Sequence, residues 1–231
     1  MPFRRFILCT ATLVLSACSS SPSPTLTQFT HYSAGYAAGD ATSFYWLTEQ
    51  LNMPASAADY VTAGDYGWYQ SEYRWRQGQL RELVREGEQH LPAQEIQRYR
   101  IHVRFNPAGE AVYQSYRLGN KILPLQPQQL ERYQAEAQTI VSATKAQARE
   151  GQSLVQGYWD GETFETCDGR DYNGLEFNQT LPSFVITRLA SVDSYVAFVG
   201  SAAADRLAIR TLLQLAEGDV DCIERPQLLD D

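Results

Sequence analysis

The sequence predicts an α+β fold, mainly an antiparallel β meander of hairpins with one long amphipathic helix at about residues 127–150. Two patterns and the composition support this prediction. Between residues 68 and 118, apolar and polar side chains alternate with a period of two, which indicates strands with one buried face. From Pro127 the apolar side chains recur at helical spacing. The 14 tyrosines and 4 tryptophans favour sheet surfaces.

The first half of the chain predicts a strand, a loop and a hairpin. Residues 43–47 form an apolar aromatic run typical of a strand, whereas residues 52–58 predict a loop because they contain Pro54 and small side chains. The hairpin spans residues 68–86 and turns at Gln77-Gly78. One face of its first strand carries Tyr69, Tyr73 and Trp75, and the opposite face carries Gln70, Glu72, Arg74 and Arg76.

A second hairpin is predicted at residues 100–118, with its turn at Asn106-Pro107-Ala108-Gly109. Gly119-Asn120 predicts a further turn before a short strand at residues 122–125. Consecutive hairpins of this kind form a meander with one buried and one exposed face. The returning strand of the second hairpin is expected to point three side chains inward: Val112, Tyr116 and Leu118.

The helix has its own start and stop signals. Pro127 suits a first helical position, and Lys145 and Arg149 complement the negative end of the helix dipole. Gly151 suits the position just after the end. The stripe at helical spacing consists of Leu130, Tyr133, Ala137, Ile140, Val141, Thr144 and Ala148.

The remaining segments predict more strands. A third hairpin is expected at residues 154–167, with a turn at Asp160-Gly161. Three apolar segments predict buried strands: residues 184–190, 194–200 and 207–215. The spacing in the last of them also fits a short helix. Because no repeat or linker interrupts the body, residues 31–231 are predicted to form a single β-rich domain.

The N-terminus predicts an export signal. Two arginines precede an apolar run at residues 6–15, which is about half the ~20 residues that a membrane-spanning helix needs. Leu15-Ser16-Ala17-Cys18 resembles the lipobox of bacterial lipoproteins. That resemblance implies a signal peptide at residues 1–17 and a lipid on Cys18. The alternative is an ordinary secreted protein with a cysteine near its cleavage site.

The residues after Cys18 predict a tether and a location. Because residues 19–30 are rich in Ser, Pro and Thr, we expect residues 18–30 to form a flexible tether. Ser19 stands where an Asp would retain an enteric-type lipoprotein in the inner membrane, so it resembles a signal for outer-membrane export. The predicted location is the inner leaflet of the outer membrane, facing the periplasm.

Cysteine use and charge limit the partners. Cys9 leaves with the signal peptide and Cys18 is lipidated, so two cysteines remain in the body. In an oxidising compartment, Cys167 and Cys222 are predicted to form a disulfide. The chain has 27 acidic and 19 basic residues, a net charge of −8, which argues against nucleic acid as a partner.

The sequence contains few motifs that would indicate a catalytic or metal-binding site. The three histidines (His31, His90 and His102) do not have metal-binding spacing, and no His-Glu-x-x-His, Cys-x-x-Cys or Gly-x-Ser-x-Gly motif occurs. The sequence leaves open a Ser–His–Asp triad that assembles only in the fold. We expect no catalytic residue, no metal and no cofactor.

Two polar clusters offer alternatives. The first is the loop at residues 167–176, whose oxygen ligands are Asp168, Asp171, Asn173 and Glu176. Calcium takes such ligands, but the EF-hand register fails, so a polar turn beside Cys167 is expected. The second is a basic strand face near Tyr73 and Trp75, with Arg74, Arg76, Arg100 and Arg104. It could bind phosphate or sugar, but we expect a solvated face paired with Glu72, Glu82 and Glu86.

Four segments carry a family resemblance: SEYRWRQGQL from Ser71, IHVRFNPAGEAVY from Ile101, LERYQAEAQTI from Leu130 and GYWDGETFETCDG from Gly157. Together with the lipobox they resemble the YjaH-like family, uncharacterised lipoproteins of gamma-proteobacteria that are grouped as a domain of unknown function. The resemblance implies an envelope location and a late cysteine pair. It implies no activity.

The expected function is therefore that of a non-catalytic outer-membrane lipoprotein. It would be anchored to the membrane through Cys18, and its β-rich domain would bind or support an unidentified envelope component. The alternative is a periplasmic hydrolase that uses carboxylates such as Asp168, Asp171 or Glu176 for general acid–base catalysis.

Overall fold

The computed structural model describes residues 28–91, 96–177, 182–191, 194–218 and 220–229. The predicted signal peptide and the lipidation site Cys18 lie outside these residues. Within them the chain forms two β-sheets and two α-helices, and most residues lie in strands. The protein is therefore mainly β, which corrects the α+β prediction, because strands outweigh the one long helix that the prediction emphasised.

The large sheet consists of β1 (Phe29–Ala38), β2 (Ala41–Gln50), β3 (Met53–Ala63), β4 (Gly67–Arg76), β5 (Gln79–His90), β6 (Ile96–Phe105), β7 (Ala111–Leu118) and β8 (Lys121–Leu123). Helix α1 (Pro127–Arg149) follows it. The rest of the described chain forms β9 (Ser153–Trp159), β10 (Phe164–Thr166), β11 (Asp171–Tyr172), β12 (Leu175–Phe177), α2 (Ser183–Ser191), β13 (Ser194–Ala203) and β14 (Arg206–Glu217).

Consecutive hairpins build the large sheet, which is antiparallel in the order β1 to β8 and confirms the predicted meander. Two of its turns, Leu51-Asn52 and Gln77-Gly78, contain only two residues, all with positive φ. Such type I′ turns match the twist of the strands that they join. The second of these turns is the one that the sequence predicted.

The predicted loop at residues 52–58 is wrong, because β3 runs through it. Ala57 and Ala58 are fully buried, so the small side chains reflect close packing and not a loop. Pro54 pairs with Glu49 beside a register shift, where a strand tolerates proline. The predicted tether is too long at its end, since β1 begins at Phe29.

Helix α1 packs on one face of the large sheet and confirms the predicted helix. Pro127 lies in its first turn, and the side chains of Gln126 and Gln129 form a reciprocal capping box. The helix contributes the side chains of Tyr133, Ala137, Ile140 and Val141 to a core that includes Leu47, Leu83, Val103 and Phe105 from the strands.

The second sheet has the order β11-β10-β9-β13-β14-β12, and β12 runs parallel to β14 while the other pairs are antiparallel. It confirms the predicted hairpin at residues 154–167 and the strand at residues 194–200, and it shows residues 207–215 as a strand. The predicted strand at residues 184–190 is wrong, because this segment is helix α2. Its buried residues Val185 and Leu189 lie four positions apart, on one helix face.

The second sheet packs against the outer face of the large sheet, which we define as the face opposite α1. Phe44 of β2 is buried there against Val199 and Leu213. Gly35 of β1 makes this approach possible, because a Cβ at this position would lie 2.3 Å from Leu213 Cδ1. The two sheets therefore share a core at one end of the meander.

The C-terminal segment, residues 220–229, crosses the outer face without forming a strand. Arg225 donates hydrogen bonds to the hydroxyl groups of Thr48, at 2.6 Å, and Ser56, at 2.8 Å. Farther on, the Glu72 carboxylate accepts the backbone N–H groups of Leu228 and Leu229 at 2.6 and 2.7 Å. The segment therefore covers part of the face that the sequence predicted to be solvated.

Candidate functional site

A groove of about 490 Å³ lies on the outer face between β4 and β7. Because side chains alternate along a strand, every second residue of these strands points to this face. The residues that line the groove include Trp68, Glu86, Glu88, Arg98, Arg100 and Arg117. We call it the arginine groove.

The strand register places two arginines of the groove directly opposite each other. Glu86, Arg100 and Arg117 are paired across three successive strands. Like charges in this arrangement destabilise a sheet. Glu86 forms an ion pair with Arg100, and Glu88 forms one with Arg98 at 2.9 Å. The side chain of Arg117 has no hydrogen bond or ion pair within the described part of the chain, so three arginines face two glutamates.

Trp68 forms the aromatic wall of the groove. Its indole N–H donates to Glu88 Oε2 at 3.3 Å, and its ring stacks on Tyr60 with centroids 6.0 Å apart. The hydrogen bonds from Arg98 and from Trp68 hold the pKa of Glu88 below its usual value. Glu88 therefore stays ionised at neutral pH and fixes the positions of both neighbours.

The C-terminal segment borders the groove at Arg100, whose Nη2 donates to the backbone oxygen of Leu228 at 3.3 Å. The same guanidinium donates through Nη1 to Glu86. Two contacts from opposite sides therefore orient Arg100, while Arg117 on the next strand has no such constraint. Glutamates therefore hold Arg98 and Arg100, while the Arg117 guanidinium has no such partner among the described residues.

A buried charge cluster lies on the other side of the large sheet, beneath α1. Arg85, which is 4% exposed, donates from Nε to Ser71 Oγ at 2.8 Å. Its Nη2 donates to Tyr73 OH at 2.9 Å and to Glu136 Oε2 on α1 at 2.8 Å. The guanidinium also lies 4.0 Å from the centre of the Tyr69 ring. This network joins the helix to the sheet through charge-assisted hydrogen bonds.

Asp59 completes the buried cluster. Its Oδ2 lies 3.8 Å from Arg85 Nη2 and accepts a hydrogen bond from Tyr73 at 3.4 Å. Its Oδ1 is the buried side-chain atom in the described residues that lacks a hydrogen-bond partner. Burial raises the pKa of Asp59 to about 6, and Arg85 counteracts only part of that effect. Asp59 therefore changes charge in a range that cells can reach.

The structure does not bring the acidic loop residues together as a calcium site. Asp168 accepts hydrogen bonds from Thr166 and Arg170, which close a tight polar turn. Glu176 pairs with Arg206 at 2.9 Å, far along the chain. The interpretation as a polar turn beside Cys167 fits these contacts. Asp171 lies in β11, and Asn173 donates to Asp205 at 3.3 Å.

The predicted basic face exists only in part. Its ion pairs are the expected ones: Arg74 with Glu72 at 3.6 Å, Arg104 with Glu82 at 2.7 Å, and Arg100 with Glu86. Arg76 is exposed at the end of β4. Tyr73 and Trp75 lie on the opposite face, in the core beneath α1. The sequence analysis missed Trp68, Arg98 and Arg117, although Trp68 has the same period-two phase as Gln70 and Arg74.

The histidines lie apart in the fold. His31 contacts Thr48 at 3.1 Å, and His102 pairs with Glu82 at 2.7 Å. His90 is the last residue of β5. Across the described ranges, no group of three or more histidine, cysteine or acidic side chains could hold a metal ion.

The predicted disulfide is present. Cys167 and Cys222 are joined with their Cα atoms 6.2 Å apart. The bond ties the turn after β10 to the C-terminal segment, and so to the outer face of the large sheet. No described helix is long and apolar enough to cross a membrane.

Comparison with known proteins gives a family. Residues 33–227 match the model of a family described as "Protein of unknown function (DUF1481)". No curated protein and no solved structure matches the chain. The match spans both sheets, both helices and most of the C-terminal segment. The chain is thus a member of the DUF1481 family.

Proposed function

We propose that the protein is a non-catalytic lipoprotein of the bacterial envelope that binds a ligand on the outer face of its large sheet. It would be held through a lipid on Cys18 in the inner leaflet of the outer membrane, with its body in the periplasm. The resemblance to the YjaH-like lipoproteins of gamma-proteobacteria supports this proposal.

The Cys167–Cys222 disulfide is the observation that carries the proposal. Disulfides persist in oxidising compartments such as the periplasm, and reducing enzymes keep cytosolic thiols apart. This one holds the C-terminal segment in place beside the arginine groove, so an exported protein would have a stable binding face. The predicted signal peptide and lipobox point to the same compartment.

The contacts of the candidate carboxylates favour binding over hydrolysis. Asp168 is held by Arg170, and Glu176 is held by Arg206. A general acid or base needs a pKa near the working pH, whereas the hydrogen bond from Thr166 and the contacts with Arg170 lower the pKa of Asp168. The hydrolase alternative therefore has less support.

Fatty-acid labelling tests the anchor. Cells that express the wild type should incorporate radioactive palmitate into the protein, whereas Cys18→Ser should accumulate as an unlabelled precursor. Cys9→Ser is the matched control, because Cys9 lies inside the predicted signal peptide and should not affect labelling. Normal labelling of Cys18→Ser would overturn the lipoprotein assignment.

Membrane fractionation tests the location. Ser19→Asp should move the lipidated protein from the outer to the inner membrane fraction, and Ser21→Asp, the same change two residues later, should not. An unchanged distribution of Ser19→Asp would remove the support for the outer membrane but leave the lipid anchor intact.

A further inference from the structure

The ligand class of the arginine groove follows from its donors. This step rests on the proposed function, since it names what the outer face would bind. Arg117 offers five N–H donors that no described residue uses. Arg98 contacts Glu88 through Nε alone, so both its terminal nitrogens stay available. The groove therefore presents more donors than its two glutamates accept.

The charge balance indicates an anion. Arg100 on β6 and Arg117 on β7 lie directly opposite each other on adjacent strands, and Glu86 neutralises the charge of Arg100 only. An oxyanion between these two guanidinium groups would remove the repulsion and accept hydrogen bonds from both. The chain as a whole is acidic, with a net charge of −8, so the groove stands out as a local positive site.

Three arginines favour phosphate over carboxylate. A carboxylate has two oxygens and one negative charge, which Arg117 alone would satisfy. A phosphate monoester has three terminal oxygens and close to two charges at neutral pH, and it suits a groove that Arg98, Arg100 and Arg117 line together. The indole of Trp68 supplies a flat apolar surface beside them, of the kind that packs against a sugar ring.

We propose that the arginine groove binds a phosphate ester, with its phosphate between Arg100 and Arg117 and the group that it esterifies against Trp68. Two sources of a phosphate monoester share this chemistry in an envelope: the headgroup of phosphatidic acid and a soluble sugar phosphate. Both ligands would place a phosphate between Arg100 and Arg117, and only the sugar phosphate would also place a ring against Trp68.

Calorimetric titration of the full-length protein in a nonionic detergent tests the proposal. The probes are glucose 6-phosphate, which has a ring, and glycerol 3-phosphate, which represents the monoester headgroup of phosphatidic acid. Arg117→Gln should weaken binding about ten- to a hundredfold, since it removes charge-assisted hydrogen bonds. Arg206→Gln is the matched control, because it removes the same charge from an exposed arginine on the second sheet and should bind as the wild type does.

The titrations with the two phosphate esters also identify the source of the ligand. Tighter binding of glucose 6-phosphate, lost in Trp68→Ala, would assign a sugar phosphate, and tighter binding of glycerol 3-phosphate would assign a headgroup. Glucuronate, a ring with a carboxylate, should bind more weakly than glucose 6-phosphate. The proposal is overturned if neither phosphate ester binds, if Arg117→Gln binds as tightly as the wild type, or if glucuronate binds equally well. None of these outcomes bears on lipidation of Cys18, which labelling tests separately.

Discussion

Arg85 Nη2 on β5 lies 2.8 Å from Glu136 Oε2 on α1, and the arginine is almost completely buried. This ion pair joins the helix to the sheet at a position where the same guanidinium also contacts Tyr73 and approaches Asp59. Buried charges are costly unless their partners surround them. The stability of the helix–sheet contact should therefore depend strongly on Arg85.

Arg85→Met should destabilise the protein by about 3–5 kcal/mol, because it leaves the buried Asp59 carboxyl without a positive neighbour and leaves Glu136 with the more distant Arg132, at 3.5 Å. Urea unfolding followed by tryptophan fluorescence measures this loss. Arg206→Met is the matched control: its pair with Glu176 is more than half exposed on both sides, so its loss should be below about 1 kcal/mol. Equal unfolding midpoints for the two variants would contradict the assigned role of Arg85.

Asp59 should give the stability a pH dependence of defined sign. Its pKa in the folded protein is about 6, above the ~3.9 of an unfolded chain, so the folded state binds the proton more tightly. The stabilisation from the protonated carboxyl is complete below about pH 4 and is lost as the pH rises through 6. Between these limits the contribution of Asp59 to the free energy of unfolding changes by roughly 3 kcal/mol. Arg85, Glu136 and Tyr73 face this carboxyl from the neighbouring elements.

The comparison of wild type with Asp59→Asn isolates this effect from the other carboxylates. The unfolding free energy of the wild type relative to the variant should fall between pH 4 and pH 7. Asp160→Asn is a control of opposite sign, because backbone hydrogen bonds from Thr163 and Glu162 lower the pKa of Asp160. There the relative stability of the wild type should rise with pH only below about pH 5 and stay flat between pH 5 and pH 7, because the lowered folded pKa and the unfolded pKa both lie below this range. A flat difference for Asp59→Asn would show that Asp59 does not titrate in this range.

The sequence predicted where the hairpins and α1 lie better than it predicted which side chains point to the buried face of each strand. Alternation identified the hairpins, and the helical stripe identified α1, because one buried face dictates both periods. Val112 shows the limit. A register shift between Arg104 and Phe105 leaves Val112 as an extra residue in β7, so it is 66% exposed although the alternation predicted it inward. A bulge shifts the phase of a strand without leaving a signal in its composition.

The candidate site depends on pairings that the sequence does not show. Arg100 and Arg117 meet because the turn between β6 and β7 fixes the register of both strands. Alternation alone predicts the face on which each arginine lies, but it does not predict which residue lies opposite on the next strand. The buried pair of Asp59 and Arg85 is harder still, since β4 lies between their two strands in the sheet. The disulfide was predictable because only two cysteines remained in the body.

The disulfide should contribute substantially to stability. Cys222→Ser opens a loop with a sequence separation of 55 and should lower the unfolding free energy by up to about 4 kcal/mol in the chain-entropy account. Under non-reducing conditions the variant should unfold at lower urea concentration, and Cys167 should react with iodoacetamide. Cys167→Ser with Cys222→Ser should lose no more than either single variant, because one bond is broken in all three. Alkylation of both cysteines in unreduced wild type would contradict the bond.

The contact between Glu72 and the C-terminal segment should control how firmly that segment lies on the sheet. One carboxylate oxygen of Glu72 accepts the backbone N–H groups of both Leu228 and Leu229, and Arg74 donates to the Leu229 oxygen at 2.8 Å. Glu72→Ala removes the acceptor, so hydrogen–deuterium exchange at these two amides should become at least about tenfold faster, the equivalent of ~1.4 kcal/mol. Glu82→Ala is the matched control, because Glu82 lies on the same face and, among the described residues, its carboxylate pairs with His102 and Arg104 rather than with the C-terminal segment. Unchanged exchange in Glu72→Ala would contradict the role assigned to Glu72, and the segment would then depend on its other contacts, which include the disulfide and the hydrogen bonds from Arg74 and Arg225.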